Sequence, residues 1–296
     1  MQAQISISVS ANFYGDIMKY TFDTENNSVT ISDTEDFDLE QTFECGQCFR
    51  WDRDENGIYT GIVNGKRLSI YNDNDTIVIK NTTKSEFESI WADYFDLELN
   101  YSDIRNDLQK IHPIMKEACK FAPGIRILRQ DSFEALISFI ISQNNNIPRI
   151  KGIINRLCEN FGEKSDSGYY NFPTPERLAR LTEDDLSVIR SGFRAKYIID
   201  AAKKVHSKEF DLEKIKAMPI DEAKKELMKI KGVGPKVADC TMLYGMHRLE
   251  CFPLDVWMKR AMGVYFPDMT PADFGKYAGI AQQYIFHYSR TNGVEI

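Results

Sequence analysis

Hydrophobic and polar positions alternate in short runs over the first third of the chain and then recur at helical spacing. The alternating runs cover residues 28–33, 47–54, 57–73 and 75–81. Asn-Gly pairs at 56–57 and 64–65 and a polar stretch at 72–75 separate these runs, as in β-hairpins. The pattern predicts an antiparallel sheet with one apolar and one polar face.

The pattern changes to helical spacing after residue 84. Ser85 and Glu88 have the spacing of a capping box and predict a helix over residues 85–95. Further helices are predicted over residues 132–143, 146–162, 174–181, 182–189, 194–207, 219–230, 234–246, 253–266 and 270–290. Gly162 is expected to end the second of these in a left-handed conformation. The predicted fold class is α+β, with an N-terminal β-rich domain and flanking helices over residues 1–121 and a helical domain over residues 122–296.

Charge is distributed unevenly between these two parts. The net charge of the whole chain is −7, which by itself argues against a nucleic-acid partner. Residues 1–130 carry 13 Lys and Arg against 22 Asp and Glu, a net charge of −9, and the remaining 24 and 22 give +2. The second part therefore differs in electrostatic character and stays a candidate for nucleic-acid binding.

Composition favours a cytoplasmic protein with reduced cysteines. No apolar run approaches the roughly 20 residues of a membrane helix, and residues 1–16 lack a basic stretch followed by an apolar one. The expected location is cytoplasmic, associated with the nucleoid if the source is bacterial. Cysteines stand at positions 45, 48, 119, 158, 240 and 251. Without a second CxxC or a His pair at metal-site spacing, we expect them in packed segments.

The stretch KIKGVGPKVADC, residues 229–240, predicts a helix, a tight glycine turn and a second helix. Gly232 and Gly234 permit positive φ and a close approach of another backbone, and Pro235 suits the first helical position. Unpaired N–H groups in the turn and at the helix start would form an anion site, which suits a DNA phosphate. A turn that only joins two helices is the alternative.

Lys236 and Asp255 are the candidate catalytic residues. Lys236 falls in the first turn of the second helix, where the macrodipole disfavours a cation and so favours the neutral amine that a lysine nucleophile requires. Asp255 precedes an apolar-periodic segment and predicts an N-cap, which would hold an ionised carboxylate near a developing positive charge. A tolerated surface lysine and a simple cap are the structural alternatives.

These motifs resemble the 8-oxoguanine DNA glycosylase family of the helix-hairpin-helix glycosylase superfamily. GVGPKVADC and PLDVWM match it in order and spacing, and so do CGQCFRW (45–51), residues 122–150, GFRAKY (192–197) and YAGIAQQYIF (277–286). The resemblance implies a helix-hairpin-helix glycosylase domain with its motif at residues 227–247. It also implies a bifunctional N-glycosylase and abasic-site lyase of base excision repair.

The resemblance assigns catalysis to the same two residues. Lys236 would attack C1′ of a damaged nucleoside and form a Schiff base, and β-elimination would then cut the strand. Asp255 would stabilise the oxocarbenium-like sugar. The damaged base must first leave the stack, and its pocket would contain Gly46, Cys240, Tyr244, Trp257, Gln282 and Phe286.

Within that pocket, the resemblance implies three recognition contacts and two departures. The Gly46 carbonyl would accept the N7–H that 8-oxoguanine has and guanine lacks, Gln282 would read the Watson–Crick edge, and Phe286 would stack on the base. The familiar eukaryotic members carry a methionine in place of Tyr244 and a phosphate-binding histidine in place of Trp257.

The implied DNA contacts lie outside the pocket. The residues expected to fill the void and contact the orphaned cytosine are Asn144, Arg149, Phe193 and Arg194, and Phe193 stands where the family often has a tyrosine wedge. The turn formed by Gly232, Val233 and Gly234 would bind the DNA backbone and, as often in this superfamily, a monovalent cation. No catalytic metal is expected. No iron–sulfur cluster is expected either, because Cys251 is the last cysteine and the four-cysteine group that some related endonuclease III-like enzymes carry near the C-terminus is therefore missing.

The partner that the resemblance implies is double-stranded DNA containing 8-oxoguanine. A monomer without membrane contact is expected, because nothing in the sequence demands a larger assembly. Two alternatives stay open. One is a glycosylase for a different damaged purine, such as an alkylated base. The other is a non-catalytic helix-hairpin-helix DNA-binding protein.

Overall fold

The computed structural model describes residues 18–165 and 168–293. The strands of the described residues are β1 (Lys19–Asp23), β2 (Ser28–Ser32), β3 (Trp51–Arg53), β4 (Tyr59–Val63), β5 (Lys66–Asp73) and β6 (Thr76–Lys80). They form one antiparallel sheet in the order β1-β2-β6-β5-β4-β3. The predicted α+β class with an N-terminal antiparallel sheet is confirmed.

Tight turns connect the later strands where the Asn-Gly pattern predicts them. Asn64 and Gly65 have φ values of 49° and 76°, the two positive values that a two-residue hairpin turn requires. The strand β1 was not predicted. Its side chains alternate between exposed and half-buried, so the strand has no fully buried position to produce a clear apolar period.

Helices dominate the chain after the sheet. In the described ranges they are α1 (Leu39–Phe43), α2 (Lys84–Glu86), α3 (Ala92–Tyr94), α4 (Tyr101–Leu108), α5 (Pro113–Phe121), α6 (Ser132–Ser142), α7 (Ile147–Phe161), α8 (Pro175–Ala179), α9 (Ala195–His206), α10 (Leu212–Ala217), α11 (Ile220–Leu227), α12 (Pro235–Cys240), α13 (Val256–Tyr265) and α14 (Ala278–Asn292). π-Helical stretches at Phe87–Trp91 and Thr241–Gly245 continue α2 and α12, and 3₁₀ turns cover Asp185–Ile189, Gly192–Arg194 and Pro271–Tyr277.

Local capping differs from the sequence prediction at two positions. The capping box before α2 is formed by Thr83 and Glu86 rather than by Ser85 and Glu88, because the helix begins earlier than expected. Gly162 ends α7 with a φ of −78°, not in the left-handed region. Glycine is needed there for another reason, since a Cβ would collide with the carbonyl oxygen of Asn171.

The predicted strand over residues 47–54 is much shorter in the structure. Only Trp51–Arg53 pairs with β4, and residues 44–50 form a loop of bends. The loop is held by the buried side chain of Gln47, which donates to the Thr42 carbonyl at 2.9 Å. The residues that read as the start of a strand therefore leave the sheet and face the helical part.

The interior consists of two hydrophobic clusters. The smaller lies between the sheet and α2–α3 and includes Trp51, which stacks on Phe43 with ring centroids 4.4 Å apart. The larger is formed by helices from α4 onward and also takes in Cys45 and Phe49 from the loop before β3. The helices α4 and α5 precede the predicted boundary but pack into the larger cluster with the helices that follow it. The division of the hydrophobic core therefore does not coincide with the predicted division of the sequence. The domain boundary at residues 121 and 122 stays a prediction.

The composition predicted reduced, packed cysteines and no membrane-spanning helix. All six cysteines are free and buried, as expected for reduced, packed thiols. Among the residues that the structure describes, no helix is long and apolar enough to cross a membrane.

Candidate active site

The glycine turn joins α11 to α12 and rests on α9. Gly232 has a φ of +81°, and a Cβ there would collide with the Tyr197 ring of α9, so this position requires glycine. Gly234 is extended, with a φ of −95°. Among the described residues, nothing lies within 4 Å of a Cβ built on Gly234. Of the two glycines, only Gly232 uses the positive φ that the residue permits, whereas Gly234 has an outer face that is open to an approaching backbone.

The N–H groups of the turn are only partly unpaired. Val233 is buried, and its N–H donates to the Ile230 carbonyl at 3.0 Å, so it is not available to a phosphate. In the described part of the chain, the N–H of Gly234 has no acceptor. Pro235 is the first residue of α12, as predicted. Among the described residues, the N–H groups left for an anion are those of Gly232 and Gly234 in the turn and those of Lys236 and Val237 at the start of α12.

Lys236 is half-buried at the second position of α12. Its Nζ lies 3.3 Å from Ser142 Oγ at the end of α6 and 5.0 Å from the centre of the Phe139 ring. A hydroxyl oxygen and a ring face both stabilise an ammonium group. Because α6 packs against α12, the lysine amine lies where the two helices meet.

Asp255 is the N-cap of α13, as predicted. Its Oδ1 accepts from the Met258 N–H at 2.7 Å, which fixes the carboxylate at a helix N-terminus, where the macrodipole favours negative charge. The charge of Asp255 acts on both the Cys240 thiol and the Tyr244 hydroxyl. The charge of Asp255 therefore reaches Cys240 on α12 and Tyr244 on its π-helical continuation, where burial raises the pKa of both groups and this charge adds to the rise.

Burial controls the protonation of the two pocket groups beside Lys236. It raises the pKa of Cys240 to about 11, although the nearby Lys236 acts in the opposite direction. Burial likewise raises the pKa of Tyr244 well above its ordinary value, and the Cys240 and Cys45 thiols add to that effect. Both groups are neutral at pH 7, and a neutral thiol is a weak nucleophile.

Gly46 lies in a loop that distant hydrogen bonds hold against the helical part. It has a φ of +85°, and Ile147 Cδ1 would lie 3.7 Å from a Cβ built on it. The next residue, Gln47, donates to the Arg126 carbonyl at 2.7 Å and accepts the Leu128 N–H at 2.9 Å. Gln47 was not predicted as a site residue, although a glutamine within the apolar run CGQCF is a usable signal for a buried polar anchor.

The segment 126–130 connects this loop to the end of the lysine helix. Gln130 donates from its side chain to the Gln47 carbonyl at 2.8 Å and from its backbone to the Tyr244 carbonyl at 2.9 Å. Tyr244 in turn stacks on Phe139, with ring centroids 5.2 Å apart and an interplanar angle of 21°. The loop of Gly46 and the amine of Lys236 are thus joined through a short chain of contacts.

Gln282 is buried on α14 and reaches Tyr244 through its neighbour. Gln283 donates to Gln282 Oε1 at 2.9 Å and also to the Tyr244 hydroxyl. The side chain of Gln282 is therefore oriented before any base enters. No sequence pattern indicated Gln283, because consecutive helical residues normally face different directions.

Phe286 and Trp257 are linked through Ser289. Trp257 Nε1 donates to Ser289 Oγ at 2.9 Å, and Ser289 donates to the Phe286 carbonyl at 3.1 Å. Phe286 is half-buried, so part of its ring is accessible. The first turn of α13, next to Asp255, is thereby tied to the ring that the resemblance assigns to base stacking.

The predicted DNA-facing residues surround the turn after α6. Asn144 is exposed with a φ of 47°, and Arg149 is exposed at the start of α7. Phe193 is 51% exposed and packs edge-on against Tyr197, with ring centroids 6.0 Å apart. Since Tyr197 also supports the glycine turn, the exposed Phe193 ring and the hairpin share one support.

Arg194 differs from the other three because it is only 3% exposed. Its guanidinium donates to the carbonyls of Gln143, Asn144 and Ser191. Burial lowers the pKa of Arg194, and the charge of Arg149 lowers it further. In this structure Arg194 fixes the turn after α6, and a contact with an orphaned base would require these hydrogen bonds to be exchanged.

Within residues 18–165 and 168–293, no group of three or more His, Cys, Asp and Glu side chains is arranged to hold a metal ion. The expectations for a monovalent cation at the hairpin, for the missing iron–sulfur cluster and for the individual site residues stay predictions.

Two family models match consecutive parts of the chain. Residues 29–136 match the 8-oxoguanine DNA glycosylase N-terminal domain, and residues 137–271 match the HhH-GPD superfamily base excision DNA repair protein. The sheet with its Gly46 loop and the helices with their glycine hairpin therefore have the architecture of a helix-hairpin-helix base excision repair protein.

Solved structures resemble nearly the whole chain. MBOgg1 in complex with a low affinity DNA ligand is 45% identical with a TM-score of 0.86, covering 93% of this chain and 100% of its own. The Clostridium acetobutylicum 8-oxoguanine glycosylase/lyase, in complex with dsDNA containing cytosine opposite to 8-oxoG, is 42% identical with a TM-score of 0.85, covering 94% and 98%. The N-glycosylase/DNA lyase OGG1 of Arabidopsis thaliana is 29% identical over 84% of this chain and 76% of its own. The chain belongs to the 8-oxoguanine DNA glycosylase family.

Proposed function

We propose that this protein excises 8-oxoguanine from double-stranded DNA and cleaves the strand at the resulting abasic site. The observation that carries the proposal is the assembly of an amine, a capped carboxylate and a positive-φ glycine loop around one helix. Lys236 lies on α12, Asp255 acts electrostatically on α12 and its continuation, and the Gly46 loop is joined to that continuation through Gln130. The activities named for the similar proteins support this reading.

Lys236 supplies the nucleophile. Its neutral amine attacks C1′ of the flipped nucleoside while the C1′–N9 bond breaks, and the bonding electrons leave with the base, which gains a proton. Loss of a proton from nitrogen and opening of the sugar ring give a Schiff base. Removal of a C2′ proton then expels the 3′ phosphate, which is the lyase step.

Asp255 supplies the negative charge. Positive charge develops on the sugar as the glycosidic bond breaks, and a fixed carboxylate stabilises it without reorganising. The hydrogen bond from Met258 holds the carboxylate in place. The hydrogen bond that makes Asp255 the N-cap of α13 is therefore the same contact that holds its carboxylate in place for catalysis.

Base recognition falls to Gly46, Gln282 and Phe286. The Gly46 carbonyl accepts the N7–H of 8-oxoguanine, whereas guanine would present a lone pair to it. Gln282 reads the Watson–Crick edge in the orientation that Gln283 fixes, and Phe286 stacks on the base. The loop must hold its shape for this discrimination, because a single hydrogen bond separates the two bases.

DNA is held mainly through its backbone. Gly234 offers an unobstructed face and an unpaired N–H to a phosphate, and the exposed Phe193 can enter the base stack beside it. The excess of basic residues in the second half of the chain fits this placement. The proposal includes a monomeric enzyme that needs no cofactor and acts on cytoplasmic or nucleoid DNA.

Single-turnover excision on duplexes with 8-oxoguanine opposite each of the four bases tests the proposal. Release of 8-oxoguanine, strand cleavage and a borohydride-trapped complex are expected together. Duplexes with undamaged guanine and with an alkylated purine serve as controls. If the alkylated base is released and 8-oxoguanine is not, the substrate assignment is wrong, and if neither is released the protein is not a glycosylase for these lesions.

A further inference from the structure

We propose that Ser142 is a positioning residue for Lys236, holding the amine so that its lone pair points away from α6 and toward the site of attack. The inference deepens the proposed function and rests on it. Ser142 is the last residue of α6, a helix in which every other residue except the half-buried Glu134 is buried. Its Oγ lies 3.3 Å from the Nζ of Lys236.

The direction of this hydrogen bond follows from the other contact of Ser142. The hydroxyl donates its one proton to the Phe139 carbonyl at 2.8 Å, and a carbonyl oxygen can only accept. The Ser142 oxygen therefore meets Lys236 with a lone pair, and the lysine nitrogen is the donor. In the neutral amine, the N–H that faces Ser142 keeps the nitrogen lone pair on another side.

Phe139 makes the arrangement rigid because its carbonyl fixes Ser142 and its ring supports Lys236. The ring centre lies 5.0 Å from Nζ. The ring is itself packed between Tyr244, at 5.2 Å, and Phe49, at 5.8 Å. One buried residue thus sets both the hydroxyl that orients the amine and the surface on which the amine lies.

This support matters because a lysine side chain is long and flexible. Attack on C1′ requires the nitrogen in a narrow range of positions and with its lone pair aligned. Proline at the start of α12 and the glycine turn fix the backbone of Lys236, but they leave the four side-chain torsions free. The far end of the side chain is restricted by the hydrogen bond to Ser142 Oγ, by the Phe139 ring and by the hydrogen bond with the Cys240 thiol, and of these the contact with Ser142 fixes an N–H of the amine against α6.

The test is Ser142→Ala in the full-length enzyme, with Ser142→Thr as the variant that keeps the hydroxyl. We expect Ser142→Ala to slow single-turnover excision of 8-oxoguanine and borohydride trapping in parallel, roughly tenfold, or about 1.4 kcal/mol. The Kd for lesion duplex and the Tm are expected to stay at wild-type values. Ser142→Thr is expected to recover most of the rate.

Ser207→Ala is the matched control. Ser207 Oγ also donates to a backbone carbonyl three residues earlier, that of Lys204 at 3.1 Å, but it lies at the exposed end of α9. A wild-type rate is expected for this variant. The inference is overturned if Ser142→Ala excises at the wild-type rate, or if its rate falls only together with Tm and Kd and threonine does not restore it. A wild-type enzyme that releases no 8-oxoguanine would instead contradict the proposed function.

Discussion

The hairpin with its lysine and the loop with its glycine are positioned in opposite ways. Lys236 follows a glycine turn and a helix-starting proline, and Asp255 caps its own helix through a residue three positions away. The loop of Gly46 depends instead on Gln47, whose partners Arg126 and Leu128 lie 79 and 81 residues further along the chain. Local structure places the backbone of the residues assigned to chemistry, whereas tertiary contacts place the backbone of the Gly46 loop, which is assigned to recognition.

This difference predicts which changes affect rate and which affect selectivity. A change at the hairpin removes a chemical group from a backbone that remains in place. A change in the loop or in its supports leaves the chemical groups present but alters the distance between the Gly46 carbonyl and the base. Five substitutions test this contrast through excision rate, stability, base selectivity and DNA affinity, beginning with the largest expected effect and ending with the smallest.

Replacing Lys236 with glutamine removes the proposed nucleophile while keeping a polar side chain of similar reach. Excision is expected to fall by at least about 10⁴-fold, with no borohydride cross-link, while lesion-duplex binding persists. Single-turnover kinetics and trapping measure this. Lys225→Gln, an exposed lysine on α11, should trap at the wild-type level. A cross-link in Lys236→Gln would assign the nucleophile to another amine.

Asp255→Asn separates the cap from the charge. Asparagine caps helices about as well as aspartate, so Tm is expected to change little, whereas loss of the charge should slow excision by about 10²- to 10³-fold. Asp255→Ala, which removes both, should show the same rate loss and an additional stability loss of about 1 kcal/mol. A wild-type rate in the asparagine variant would leave Asp255 with only its structural role.

The hydrogen bonds of Asp96 are tertiary contacts whose contribution to the free energy of unfolding can be measured. Its side chain is buried and accepts hydrogen bonds from Arg129 at 2.7 Å and from Tyr101 at 2.9 Å. It also contacts His247 at 3.1 Å, two residues beyond the π-helical stretch that continues α12. Burial alone would raise the pKa of Asp96, but the contacts with His247 and Arg129 outweigh it and lower the pKa. The ionised form therefore stabilises the fold above the unfolded pKa of about 3.9, and this stabilisation is lost as pH falls through the lower folded pKa.

Asp96→Asn is accordingly expected to lower the unfolding free energy by about 3 kcal/mol at pH 7, with a smaller difference from wild type below pH 4. Urea denaturation at several pH values measures both. Asp93→Asn is the matched control, because Asp93 pairs with the same arginine at 2.9 Å but is exposed, and a change under about 1 kcal/mol is expected. Equal effects of the two variants would show that burial of Asp96 adds nothing.

Gln47→Leu tests whether loop support determines selectivity. Leucine fills similar volume but leaves the Arg126 carbonyl and the Leu128 N–H without their partner. The preference for 8-oxoguanine over guanine is expected to fall about tenfold, with a stability loss of about 2 kcal/mol. Excision competition between the two bases measures the preference. A purely proportional loss of rate on both bases would mean that the loop contributes to folding and not to discrimination.

Gly234→Ala has the smallest expected effect. A Cβ there meets no atom of the described protein and the backbone is extended, so stability should change by less than about 0.5 kcal/mol. Binding to duplex DNA should weaken a few-fold if a phosphate approaches this face, as titration at two salt concentrations would show. Gly232→Ala is the contrast, since positive φ and the Tyr197 ring make it destabilising. Unchanged DNA affinity in Gly234→Ala would show that the DNA backbone does not approach the protein at Gly234.

Individual residues show which structural features could be predicted from the sequence and which could not. Asp255 as a cap, Pro235 at a helix start and the Asn64-Gly65 turn were predictable, because each depends on side chains a few positions away. Residues 47–50 were predicted as strand because their apolar content fits one, and the buried amide of Gln47 pulls them out of the sheet. The contact of Arg194 with an orphaned base stays a prediction, but no local pattern indicated its burial under the turn after α6, which depends on carbonyls about 50 residues away.

The sequence by itself determined the α+β class with its sheet before most of the helices, the glycine hairpin and the identity of the candidate amine and carboxylate, because turn chemistry, capping and apolar period are local properties of the chain. Only the tertiary structure decided which groups surround that amine. The hydroxyl of Ser142, the Phe139 ring and the Gln283 bridge reach the site from α6 and α14. Their placement follows from how buried helices pack against one another, and packing of that kind leaves no periodic signal in a single sequence.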